Sequence, residues 1–153
     1  MKQNGLQDGI TTSGIVVATL RGPDGKIKSR THHNMVVTAG KEHVADQLAG
    51  LLQGSMSHMA IGTGATAQAL TDTALQTELN RKAFTSKDQG VGGDANKVIY
   101  VTSWPAGEGT GAITEAGIFN AASAGTMLAR TTFPVKNKGV SDSLTLTWTL
   151  SIN

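Results

Sequence analysis

The chain contains no cysteine, so disulfides, thiolate metal sites and thiol nucleophiles are excluded. Aromatic residues are scarce, at 4% of 153, too few for a base-stacking platform or an aromatic-lined sugar cleft. Neither sign of charge dominates. Lys and Arg number 13 against 11 Asp and Glu, and a net +2 makes no case for a nucleic-acid partner. No apolar run approaches the ~20 residues of a membrane helix, so no membrane partner is expected. Residues 1–10 are polar and Gly-containing, without the charged start and apolar core of a secretory signal, which points to synthesis and folding in the cytoplasm. The G-x-S-x-G pattern of serine hydrolases is absent.

What is abundant is Gly, with 19 residues, alongside many Thr, Ala and Ser. That mixture suits sheets with many turns. The length fits one domain, expected over residues 14–153, preceded by a flexible N-terminal arm over 1–13 that lacks any sustained period. Residues 14–20 read as a buried strand, followed by Gly22-Pro23-Asp24-Gly25, a strong hairpin turn. The return strand over 26–31 alternates Lys26, Lys28 and Arg30 with Ile27, Ser29 and Thr31, so with one face fully charged it reads as a solvated or edge strand. Thr38 opens a helix over 39–52 with a Val44, Leu48, Leu51/Leu52 stripe. Thr73 and Gln76 form a capping-box pattern ahead of a second helix over 74–81. Residues 86–96 read as loop, and strands are expected over 57–61, 97–103, 112–120 and 127–133, with Pro134 and Gly139 in the last loop.

The C-terminus carries the clearest period in the chain. Leu144, Leu146, Trp148, Leu150 and Ile152 point one way, and Ser143, Thr145, Thr147, Thr149 and Ser151 the other. This is about 33 Å of strand at ~3.3 Å per residue. The sum is a mainly β chain of roughly seven to nine strands, an antiparallel, jelly-roll-like β-sandwich with one or two short helices packed on it.

Candidate chemistry is thin. Gly62-Thr63-Gly64-Ala65-Thr66-Ala67 fits G-x-G-x-x-A, but no helix follows directly, so a tight turn is the better reading than a dinucleotide loop. His32 and His33 are adjacent in an extended segment and face opposite sides; a symmetric trimer would let one line its axis as a three-His site, against ordinary interface histidines. His43 reads as helix surface. Glu108 and Glu115 flank a short segment near Trp104, the residue types of a glycosidase pair, which needs carboxylates about 5–9.5 Å apart. The blander reading puts Glu108 in a solvated loop and Glu115 against a basic group across an interface. Trp104 precedes Pro105 as a rim contact. The uncharged face of Thr145, Thr147 and Thr149 is placed against a neighbouring subunit. These six residues, His32, Trp104, Glu115, Thr145, Thr147 and Thr149, are the interface candidates; no catalytic residue, cofactor or metal site is assigned.

Several blocks, in order, resemble a known family. They are Asn34-Met35-Val36-Val37-Thr38-Ala39-Gly40-Lys41, Met59-Ala60-Ile61-Gly62-Thr63-Gly64, Thr71-Asp72-Thr73-Ala74-Leu75, Gly107-Glu108-Gly109-Thr110-Gly111, residues 113–121 with Ile113-Thr114-Glu115-Ala116-Gly117-Ile118-Phe119, and Met127-Leu128-Ala129-Arg130. Together the chain resembles tailed-phage virion proteins of the tail-fibre, tail-collar and neck-associated group, some of them decoration proteins. The resemblance implies a non-enzymatic assembly protein located in the virion, a homo-oligomer, trimeric by analogy, that contacts other proteins of head, neck or tail. Capsid decoration is the alternative position. A carbohydrate- or receptor-binding module is the alternative class, resting on Trp104 and Tyr100. On either phage reading the arm over 1–13 docks on another virion protein, and its deletion leaves the sandwich folded.

Overall fold

A computed structural model describes residues 9–51 and 53–153. Among them the chain forms ten strands and one α-helix, arranged as two five-stranded antiparallel sheets. The strands are β1 (Thr12–Arg21), β2 (Ile27–His33), β3 (Met35–Val36), β4 (His58–Gly62), β5 (Glu78–Ala83), β6 (Ser86–Gln89), β7 (Lys97–Trp104), β8 (Gly111–Phe119), β9 (Met127–Lys138) and β10 (Ser143–Ile152); α1 spans Thr38–Leu48. The first sheet runs β2-β1-β10-β7-β6 and the second β3-β9-β8-β4-β5. The hairpins β1–β2 and β6–β7 stay in one sheet, β4–β5 and β8–β9 in the other, and β10 returns between β1 and β7.

The core follows from alternation. Val16 and Ala18 of β1, Leu144, Leu146 and Trp148 of β10, and Trp104 of β7 are fully buried, facing Met59, Ile61, Ile113, Ala116, Ile118 and Ala129 of the second sheet. The expected antiparallel sandwich is therefore the fold, with a single short α-helix. The β1–β2 turn forms as its residues dictate: Gly25 takes φ +78° and its N–H donates to the Gly22 carbonyl, while Asp24 accepts from the Lys26 N–H. β1 begins at Thr12, whose register partner is Ile152, so residues 12 and 13 belong to the sheet rather than to an arm. Residues 1–8 of that expected arm lie outside the described residues.

Four expectations are corrected. The segment 74–81 is not helical: it is a loop running into β5. β6 lies inside the expected 86–96 loop; a short polar edge strand has no apolar alternation to announce it. β9 continues through Pro134 to Lys138, because the β8–β9 register breaks between Ile113 and Glu115 and the ladder makes no demand on the missing N–H there. The helix ends at Leu48, four residues early, with Gly50 at φ +72° turning the chain. Its buried residues are Gly40 and His43, not the expected stripe. Leu48 and Leu51 are 76% and 55% exposed. α1 packs on β9, where Gly40 meets the Leu128 carbonyl so closely that a Cβ would lie 2.0 Å from its oxygen.

Candidate functional site

Glu115 lies on β8 and Arg130 on β9, on the face of the second sheet turned away from the core. The polar loop 63–77 folds over them. Both side chains are essentially excluded from solvent. Arg130 donates from Nε and Nη2 to Glu115 Oε2 at 3.0 and 2.8 Å, and from Nη1 to Asp72 Oδ2 at 2.9 Å. Its Nη2 also reaches the Thr66 carbonyl. Glu115 accepts three backbone N–H groups from the loop, those of Gly64, Gln76 and Thr77, at 2.8 to 3.0 Å. Burial pushes the Glu115 pKa up, and the hydrogen bonds from Thr77, Arg130, Gln76 and Gly64 outweigh it, so the carboxyl sits below its ordinary value. Gly64 is required by the close approach, since a Cβ there would fall 2.5 Å from Glu115 Oε1.

This knot explains the missing second helix. The N–H groups of Gln76 and Thr77 are drawn to Glu115, and the Gln76 side chain accepts from the Thr66 N–H instead of capping. A distant carboxylate overrides the local capping pattern. It also shows what several of the resembling blocks do physically. Gly62-Thr63-Gly64, Asp72, Glu115 and Arg130, far apart in sequence, form one buried ion cluster that pins the loop.

The candidate residues separate on inspection. Glu115 does not reach across an interface; its partner is Arg130 of the same chain. Glu108 pairs with Lys82 at the surface, while both Glu115 oxygens are held in the buried cluster by Arg130 and the loop N–H groups. Trp104 is not a rim contact: it is fully buried, donating from Nε1 to Asn80 Oδ1 at 2.8 Å. Tyr100 is likewise buried, with its pKa raised by burial to about 12, which leaves neither ring as a sugar platform. His32 faces into its own sandwich, its ring 5.1 Å from that of Phe133, and so does not line an axis. Burial, then Lys136 and Arg30, lower its pKa. His43 is buried rather than on the helix surface. Among the described residues no group of three or more His, Asp or Glu side chains is gathered as metal ligands, and no helix is long and apolar enough to cross a membrane.

Thr145, Thr147 and Thr149 do share a surface, the outer face of the first sheet. Thr145 sits between Thr19 and Ser103, Thr147 between Val17 and Val101, and Thr149 between Ile15 and Ile99. The Thr145 and Ser103 hydroxyls are 2.8 Å apart. Thr31 and His33 of β2 extend the second and third rows. Ile15 is 43% exposed. Among the described residues the charged side chains of this face stand at its margins, Arg21, Asp88 and Lys97. The strands of this sheet run from 4 to 10 residues, and at ~3.3 Å per residue and ~4.8 Å between strands they make a surface on the order of 600 Å².

β2 is the edge strand that its charged alternation announces, with Lys28 and Arg30 exposed. Its register with β1 sets Lys28 against Leu20, Arg30 against Ala18 and His32 against Val16, so the charged face is the one turned toward the second sheet, at the open side of the sandwich. Ile27, Thr31 and His33 face outward.

No family model, curated protein or solved structure matches the chain.

Proposed function

We propose that the chain is a non-enzymatic structural component of a tailed-phage particle, of the tail, neck, collar or fibre base, acting as a homo-oligomer. The observation that carries this is the outer face of the first sheet. Rows of Val, Ile and Thr on a regular sheet carry no charge to desolvate, and where hydroxyls adjoin, as at Thr145 and Ser103, they satisfy each other across strands. A face on the order of 600 Å² approaches the ~800 Å² per partner of a standard stable interface. Closed rotational symmetry is the general rule for copies of one chain, and a trimer matches the resemblance. Gly64, Asp72, Glu115 and Arg130, drawn from four of the blocks that carry the resemblance, meet in one knot, so within this chain those blocks serve one structural purpose.

Two measurements test this. Sedimentation equilibrium of the full chain should give a mass three times 15.8 kDa. Thr147→Lys, which places a charge mid-face, should return the monomer mass with an unchanged circular dichroism spectrum. A wild-type monomer at every concentration overturns the oligomer. Antibodies against the chain should label one discrete position on particles of the phage that encodes it; absence of the chain from purified particles overturns the virion assignment.

A further inference from the structure

We propose that the cleft between β2 and β9 binds an acidic protein segment, extended along the open edge of β2 with carboxylates at alternate positions. Lys28 and Arg30 stand on one face of β2, about 7 Å apart along the strand. Lys136 of β9 faces them across a cleft of about 270 Å³, lined also by Leu20, Val135 and Asn137. Lys136 is nine-tenths buried, its ammonium 5.6 Å from the centre of the Phe133 ring. Among the described residues none of Lys28, Arg30 or Lys136 has a carboxylate partner within ion-pair distance, although six such pairs form elsewhere. The acids beside the adjoining hollow are otherwise engaged. Asp24 pairs with Lys26, and Asp142 accepts the Gly139 N–H.

Holding like charges together in a partly desolvated cleft costs stability. The effect registers on Lys136, whose pKa is held below its ordinary value by burial and Arg30. An arriving carboxylate reverses that cost, so the cleft is organised for an anion.

The backbone supplies the second half of the site. β2 ends its sheet and pairs only with β1 among the described strands; the His33 carbonyl at its end accepts the Thr131 hydroxyl, and the edge from Ile27 to Thr31 is a template for an added strand. Lysines on an edge strand ordinarily discourage such addition. Here the same cations discriminate: they repel a second copy of β2 and admit a strand whose carboxylates repeat every second residue, matching the Lys28–Arg30 spacing. No aromatic side chain lines the cleft to stack a base, which favours a peptide over a nucleic acid. This partner is distinct from the second copy proposed for the outer face, and the inference does not depend on that oligomer.

The test is fluorescence anisotropy of the full chain against three labelled probes: a peptide alternating Glu and Thr, its Gln-for-Glu counterpart, and an oligothymidylate of equal charge. The expected result is binding of the Glu peptide alone, weakened about tenfold in Arg30→Gln and again in Lys28→Gln, both exposed positions that leave the core untouched. Amide shifts in Ile27–His33 and an upward-titrating His32 ring should accompany it. No binding of the Glu peptide, equal binding of the Gln peptide, or unchanged affinity in both variants overturns the proposal. Tighter binding of the oligothymidylate overturns it in favour of a nucleic acid.

Discussion

Arg130 is the residue on which the loop 63–77 depends, and its situation sets what substitution does. Its guanidinium is shared between Glu115 and Asp72, and removing it leaves a wholly buried carboxylate with no countercharge. Breaking such a pair from one side costs about 3–5 kcal/mol, so Arg130→Leu should lower the denaturation midpoint severely, while the double change Arg130→Leu with Glu115→Leu should recover part of the loss. Equilibrium urea denaturation of the two variants measures this. The pH dependence follows from the same group. The Glu115 carboxyl is more acidic folded than unfolded, so its contribution is complete above the ordinary carboxylate pKa of about 4.3 and is lost as pH falls through the lower folded value. Stability should therefore drop from about pH 4 downward, and the Glu115→Leu, Arg130→Leu pair should show a shallower acid limb. From sequence, Glu115 in a small, apolar strand announces a basic partner. That the partner is Arg130 depends on the β8–β9 register, which is decided by the whole sheet.

At the scale of elements, legibility tracked amphipathic contrast. β10 is readable to the residue because five large apolar side chains alternate with five hydroxyl residues and both faces meet what their chemistry favours. β5 and β6 are polar edge strands without that contrast, and the 74–77 segment has its local preference overruled by Glu115. The helix is the instructive intermediate. Its existence is legible, but the face it buries is selected by Gly40, which lets the backbone settle onto Leu128, and not by the leucine stripe. Two substitutions separate these accounts. Leu48→Glu, at an exposed position, should change stability by within about 0.5 kcal/mol. Gly40→Ala, which in a free helix would stabilise by about 1 kcal/mol, should instead destabilise by about 1–3 kcal/mol, because the new methyl meets a backbone carbonyl that cannot rotate away. Thermal melts of both variants decide, and the opposite ranking would restore the leucine stripe as the packing face.

For the whole molecule the decisive feature is that β1 and β10 meet along their full length, Thr12↔Ile152 through Arg21↔Ser143, in the interior of the first sheet. The inner side of that pairing is core and its outer side is the uncharged Thr, Val and Ile surface, so folding and the proposed association are built on the same strands. That arrangement makes an oligomer visible in stability itself. If copies associate through the outer face only when folded, the melting temperature rises with chain concentration, as it must whenever a partner binds the native state alone. Thr147→Lys sits between Val17 and Val101 on that face, and its partners in the core are unaltered. The variant should melt at one temperature whatever the concentration, matching wild type at high dilution and falling below it as concentration rises. Differential scanning calorimetry over a hundredfold concentration range is the measurement. A wild-type melt independent of concentration, together with an unchanged melt in the variant, would mean that the face is covered by no second copy and that its uncharged rows await a different protein.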